Sequence, residues 1–194
     1  CVAAKRFVVV EEVRERFEAL LVERMTTARM GDPMDPDTTL GPLAREDLQA
    51  NLARQVEESI AAGALCLLGG ERPAGPGYFY PPTVLSDVRP GMPAYEEELF
   101  GPVASIIPVA DEAEAIRVAN DTQYGLGASV YTQDTARGEH IAAHELEAGC
   151  CFVNGLVKSD PRLPFGGIKE SGFGRELSTY GIREFVNVKT VWVA

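Results

Sequence analysis

The 194-residue chain carries 18 Lys and Arg against 29 Asp and Glu, a formal net charge of −11. That balance argues against a nucleic-acid partner, because a phosphate backbone needs a basic face. The composition, 45% hydrophobic and 24% charged, is that of a soluble globular protein with a core of its own, and no apolar run approaches the length that spans a bilayer.

Taken in order, Arg6 to Val10 (RFVVV) is a β-branched apolar run and predicts a buried strand. Glu11 to Ala28 reads as an amphipathic helix with Val13, Phe17, Leu20, Leu21 and Met25 on one face. Gly31-Asp-Pro-Met-Asp-Pro-Asp breaks it, and Gly41-Pro42 closes the loop. A second helix is expected over Ala44 to Ala62, with Leu48, Leu52, Val56 and Ile60 four apart, ended by Gly63. Ala64 to Leu68 is a short strand, Gly69 to Gly77 a turn-rich connection, and Tyr78 to Leu85 extended chain around Pro81-Pro82. Pro102 to Val109 (PVASIIPV) predicts another buried strand. Asp111 with Glu114 three residues on is a capping-box-like start for a helix to Asn120.

Tyr124-Gly-Leu-Gly predicts a turn, Ala128 to Thr132 a strand, and Asp134 the cap of a helix to Glu147. Gly149 ends it, and Cys150 to Val153 is the next strand. Asn154 to Glu176 follows, rich in glycine yet carrying Leu163, Phe165, Ile168 and Phe173, which a solvated loop would not need. Gly174 to Glu184 reads as helix, and Val186 to Val193 (VNVKTVWV) as an alternating terminal strand whose edge wants a partner. Strand and helix alternate, so the fold class expected is α/β, a largely parallel sheet with helices on both faces. No composition break divides the core. Residues 1–184 are expected to form one domain and 185–194 an oligomerisation strand.

The four cysteines are Cys1, Cys66, Cys150 and Cys151, with no Cys-x-x-Cys spacing. A disulfide or zinc framework is not expected, and a reducing, cytoplasmic setting is the simple reading. No signal peptide is visible. The chain opens on Cys1 rather than Met, which reads as part of something longer.

Cys1 is the best nucleophile candidate, because a thiolate attacks carbonyls readily. The other three cysteines lie in apolar or strand-like runs and read as small core residues. Glu96-Glu97-Glu98 would ordinarily be a solvated turn, but it runs straight into Leu-Phe-Gly-Pro and a buried strand. That places Glu98 at the mouth of the sheet, where ligands of α/β folds bind and a carboxylate could accept bonds from a sugar hydroxyl. His140 and His144, four apart, suit a metal pair but have no third ligand, so no metal site is expected. No Walker or Gly-x-Gly-x-x-Gly motif occurs in the right context, nor any motif supporting Ser-His-Asp.

Cys1 followed by VAAKRF, then EEELFGPV, NDTQYGLGASV, and FVNG with PFGGIKESGFGRE, resembles the aldehyde dehydrogenase superfamily from residue 1 to the terminal strand. Within it, AAKRF, the run Tyr78 to Leu85 and NGLVKSDPRLPFGG most resemble bacterial succinate-semialdehyde dehydrogenases. The resemblance implies an NAD- or NADP-dependent enzyme oxidising an aldehyde to its acid. Cys1 would form a thiohemiacetal and then a thioester. It also implies that Glu98 holds the nicotinamide ribose hydroxyls and Phe100 lies beside it. On the substrate side, Asn154 would open the tunnel loop, Ser159 would bond the distal carboxylate and Phe165 would wall the aldehyde. Lys158 and Arg162 are nearby cations that could help. Two departures stand out. Leu48 and Asn51 occupy positions where family members offer Gln and Lys to the cofactor. Ala3 stands where some succinate-semialdehyde enzymes carry a second, redox-switching cysteine.

The family's cofactor domain, general base and oxyanion residue would lie upstream of Cys1, so this chain alone is expected to be inactive. The expected partners are a small aldehyde and further copies of the chain, as dimer or tetramer, with no nucleic acid or membrane. Two alternatives stand beside this reading: another small aldehyde as substrate, and a non-catalytic folding and oligomerisation module.

Overall fold

The structure, a computed structural model, describes residues 2–194; Cys1 lies outside the described residues. It is mixed α/β and divides into two compact units, one of Ala4–Ala115, the other of Ile116–Ala194 with the first described residues.

In the first unit β1 (Arg6–Val10) leads directly into α1 (Glu11–Thr26), followed by α2 (Glu46–Ala61), β2 (Leu65–Leu68), β3 (Thr83–Ser86), α3 (Pro93–Glu96) and β4 (Val103–Val109); α4 (Glu112–Asn120) comes next in the chain. The sheet order is β1-β4-β3-β2. β4 pairs in parallel with β1, from Arg6 opposite Ser105 to Val10 opposite Val109, and in parallel with β3. β2 is antiparallel to β3, with an irregularity between Cys66 and Leu68. β3 is buried throughout and β4 at every position but Pro108. A strand with no wet face needs no apolar–polar alternation, which is why PVASIIPV reads as a continuous run.

α1 packs Phe17, Leu21, Val22 and Met25 against the cluster of Val9, Val84 and Ile106. Val13 and Leu20, expected on that face, are exposed. The packed line is the i, i+4, i+8 row of 17, 21 and 25, and the helix tilts that row, not its whole apolar arc, onto the sheet. Arg14 anchors the same helix: it donates from Nη2 to Ser86 Oγ (3.2 Å) and lies 2.9 Å from Asp87. Its bond to Glu18 first, then Asp87, holds it above the ordinary arginine range. In α2 the buried face is Gln49, Leu52, Ala53, Gln55, Val56 and Ser59. Ile60 is exposed, while the buried stripe includes polar residues, among them Gln49, whose Nε2 donates to Phe79 O (2.5 Å), and Ser59, whose Oγ accepts the Ala94 N–H (2.9 Å).

In the second unit β6 (Gly127–Val130) and β7 (Cys150–Val153) pair in parallel. Such a pair needs a crossover, here α5 (Thr135–His140) continued by a π-helical turn, Ile141–Glu145. Asp134 caps α5 by accepting the Arg137 N–H (2.9 Å). The single helix expected to Glu147 instead widens after His140, where Glu145 turns in to meet the Arg137 guanidinium at 2.5 Å. β5 (Tyr124–Gly125) and β8 (Ile168–Lys169) form a short antiparallel pair where the sequence suggested only a turn and a loop. α6 spans Ser178–Glu184, starting later than Gly174 because Leu177 enters it at φ 63°.

Val186 to Val193 forms no strand. It pairs with none of the described strands, and a segment without ladder partners is not a strand. Its Val188, Val191 and Trp192 are exposed.

At Gly149 the backbone runs close against the Gly166–Gly167 backbone. The Gly149 N–H donates to Gly125 O (2.9 Å), and a Cβ there would collide with the Gly166 carbonyl. Gly149→Ala should therefore destabilise this unit by about 3 kcal/mol, read as faster amide exchange at Cys150 and Asn154, whose N–H groups bond Leu126 O and Val130 O.

Candidate active site

In the first unit the candidate residues lie on the turn between α3 and β4. The three successive carboxylates are divided among different tasks. Glu96 accepts the Gly91 N–H (2.9 Å). Glu97 accepts from Arg54 Nη2 (2.7 Å) and Gln55 Nε2 (2.8 Å), and those two bonds, Arg54 first, hold its carboxyl below the usual range. Gln55, buried on α2, also donates to Glu98 O (3.2 Å). Glu98 itself is exposed, and its carboxylate accepts no hydrogen bond among the described residues. Leu99 is buried, Gly101 packs on Leu52, and Phe100 between them is turned out, 59% exposed.

Glu98 precedes β4, so it sits at the amino end of the parallel strands. Ligands of open α/β folds bind beyond the carboxyl ends of the strands, whereas this turn lies at the opposite end, so the expected placement of Glu98 at the ligand-binding mouth of the sheet is not met. Asn51 on α2 accepts from Arg54 Nη2 (3.0 Å).

In the second unit Asn154 stands at φ 51°, just past β7. Its N–H donates to Val130 O (2.8 Å), its Oδ1 accepts the Thr132 N–H (2.9 Å) and its Nδ2 donates to Thr132 O (2.9 Å). The side chain thus imitates one more rung of the β6–β7 ladder and sets the direction in which the loop leaves. Ser159 is exposed and makes no hydrogen bond among the described residues. Arg162 is held by Asp160 through Nε (2.9 Å) and Nη2 (2.6 Å), and that pairing keeps the Asp160 carboxyl well below its usual range. Of the two expected cations, Lys158 is the one exposed without such a partner among the described residues. Phe165 is buried, its backbone paired both ways with Glu176 (2.9 and 2.8 Å). Arg175 Nη1 spans the carbonyls of Gly167 (3.0 Å) and Gly174 (2.6 Å) and folds the glycine-rich stretch on itself.

Burial pushes the thiols of Cys66, Cys150 and Cys151 up, opposite to what a nucleophile needs. The rings of His140 and His144 lie 5.0 Å apart, with His140 Nε2 3.5 Å from Glu145. No group of three metal-ligating side chains occurs among the described residues. The predicted nucleophile, Cys1, lies outside them.

Sequence reasoning missed two residues. Gln55 ties the turn to α2, and Lys5 donates from Nζ to Gly101 O (2.6 Å). The signals were a glutamine on the apolar face of a helix and a lysine opening an apolar strand; both must find partners when desolvated.

The chain belongs to the aldehyde dehydrogenase family, whose profile matches residues 1–191. It is 50% identical over 194 residues to the NADP(+) succinate-semialdehyde dehydrogenase of Mycobacterium leprae, covering 100% of this chain and 42% of that protein. With the NAD(P)+ succinate semialdehyde dehydrogenase of Escherichia coli K12 it shares 49% over 192 residues, 99% of this chain and 41% of that one. The crystal structure of the succinic semialdehyde dehydrogenase of Streptococcus pyogenes in complex with NADP+ superposes with a TM-score of 0.95. That pair is 42% identical, covering 100% of this chain and 42% of that one. The chain thus spans well under half the length of these relatives.

The two bonds from Asn154 to Thr132 make the loop's starting point testable. Asn154→Ala should cost about 2 kcal/mol, from two lost bonds and an unfavourable left-handed alanine. It should lower the exchange protection of the Thr132 amide about 30-fold. Asn154→Gly should cost about 1 kcal/mol less, since glycine accepts that φ.

Proposed function

We propose that this chain is the cysteine-bearing catalytic part of an NAD- or NADP-dependent aldehyde dehydrogenase that oxidises succinate semialdehyde to its acid. The observation that carries this reading is 50% identity along the whole chain to an enzyme named for that substrate. On this reading the Cys1 thiolate forms an S–C bond to the aldehyde carbon. Cys1 then holds that carbon, first as a thiohemiacetal and afterwards as a thioester, until water releases the acid and the thiol.

The residues on the turn before β4 fit a nicotinamide cofactor. An exposed carboxylate without a hydrogen-bond donor among the described residues, Glu98, suits a pair of ribose hydroxyls. An outward-facing aromatic, Phe100, suits a flat ring. Acceptance of a hydride is the chemistry a bound NAD or NADP supplies.

Asn154 directs the substrate loop, Ser159 offers a free hydroxyl to the distal carboxylate with Lys158 close in sequence, and Phe165 forms a buried wall. Residues 1–184 are read as the catalytic part and 185–194 as the segment for assembly into a dimer or tetramer, with Val188, Val191 and Trp192 exposed for it. A cytoplasmic setting accords with the free thiols of Cys66, Cys150 and Cys151.

In the full-length protein, Cys1→Ser should lower kcat by at least roughly a thousandfold, read as NAD(P)H formation. Ser159→Ala should raise KM for succinate semialdehyde about tenfold while changing that for butanal less than about twofold. An equal effect on both aldehydes would remove Ser159 from carboxylate recognition.

A further inference from the structure

The turn that carries Glu98 and Phe100 is closed by two successive three-residue hydrogen bonds. Gly101 N–H donates to Leu99 O (3.0 Å), and Val103 N–H donates to Gly101 O (2.9 Å). Each is a γ-turn contact, the smallest closure a backbone makes. Two in a row, with Glu98 and Phe100 both outside the packed core, leave the orientation of those side chains weakly determined by the turn alone.

Lys5 reaches this turn from a point 96 residues away in sequence, and its Nζ donates to the Gly101 carbonyl at 2.6 Å. The lysine is half-buried, and its own carbonyl accepts the Ser105 N–H (3.1 Å), so its backbone is pinned beside β4. Burial pushes its ammonium below the usual lysine range, and the nearby Glu98 carboxylate opposes that shift. The bond is not needed to join β1 to β4, which already share a ladder from Arg6–Ser105 to Val10–Val109. What Lys5 adds lies beyond the end of that ladder, on the turn itself. A charge-assisted bond to a carbonyl is stronger than either γ-turn contact.

We propose that Lys5 is a positioning residue for the nicotinamide cofactor: its ammonium fixes the Gly101 carbonyl, and with it the direction in which Glu98 and Phe100 are presented. This rests on the reading of Glu98 and Phe100 given above. Because Lys5 follows Cys1 by four residues, the segment carrying the nucleophile is also the segment that steadies the cofactor turn.

The test uses the full-length protein and two readouts, amide exchange without cofactor and fluorescence titration with NADH or NADPH. Lys5→Met should speed exchange at Gly101 and Val103 about tenfold and weaken dinucleotide binding about tenfold, with KM for the aldehyde within about twofold of wild type. Lys5→Arg, which keeps a cationic donor, should recover most of both losses. Unchanged exchange or unchanged dinucleotide affinity in Lys5→Met overturns the proposal while leaving the functional reading intact. A wild-type protein that binds neither dinucleotide overturns that reading and this proposal with it. If Lys5→Met is unfolded by circular dichroism, Lys5→Gln carries the same two measurements with the same outcomes.

Discussion

The double burial of β4 is the constraint on which the first unit depends. A strand with neither face in water must have both neighbours in register and a cover on each side. β1 and β3 supply the neighbours in parallel, and α1 lays its Phe17–Leu21–Met25 row over Val9, Val84 and Ile106. Parallel pairing brings the amino ends of β1 and β4 together, and so puts the residues before each strand side by side. Lys5 and Gly101 meet for that reason. The site at this end of the sheet is a product of strand direction before it is a product of any particular side chain.

Elements with an unmistakable physical signature were legible from residues alone. RFVVV and PVASIIPV became β1 and β4 within a residue of their expected ends, because continuous β-branched runs have no other stable home. The caps at Asp111 and Asp134 were also readable; their side chains accept the Glu114 and Arg137 N–H groups. What escaped depended on tertiary partners. Gln49, Gln55 and Ser59 lie on the buried stripe of α2, where a hydrophobic count passes over them. The two-residue strands β5 and β8 exist only as each other's partners. Val186 to Val193 alternates like a strand but pairs with no described strand.

The candidate site shows the same division. Glu98 was recognisable as an odd carboxylate ahead of a buried strand. Its distinction from Glu96 and Glu97 was not, because three identical side chains differ only in what lies opposite them. Gly91 and the Arg54–Gln55 pair take the first two. The loop from Asn154 divides likewise: the Asn154 amide is committed to Thr132 and Arg162 to Asp160, whereas the Ser159 hydroxyl bonds to none of the described residues. Chemistry-bearing residue types were visible in the sequence, and which of them remain available was decided by local bonding.

The β1–β4 pairing has a consequence for how the chain folds. β2, β3 and β4 lie within about 45 residues and can assemble with short loops, whereas joining the segment at Lys5 to Gly101 closes a loop of 96 residues. Loop-closure entropy is overcome only when a prepared edge is waiting. β4, already held by β3, is such an edge, so β1 is expected to dock onto it last. The segment from Lys5 to Val10 is therefore expected to lock in place only after Gly101 has a strand behind it.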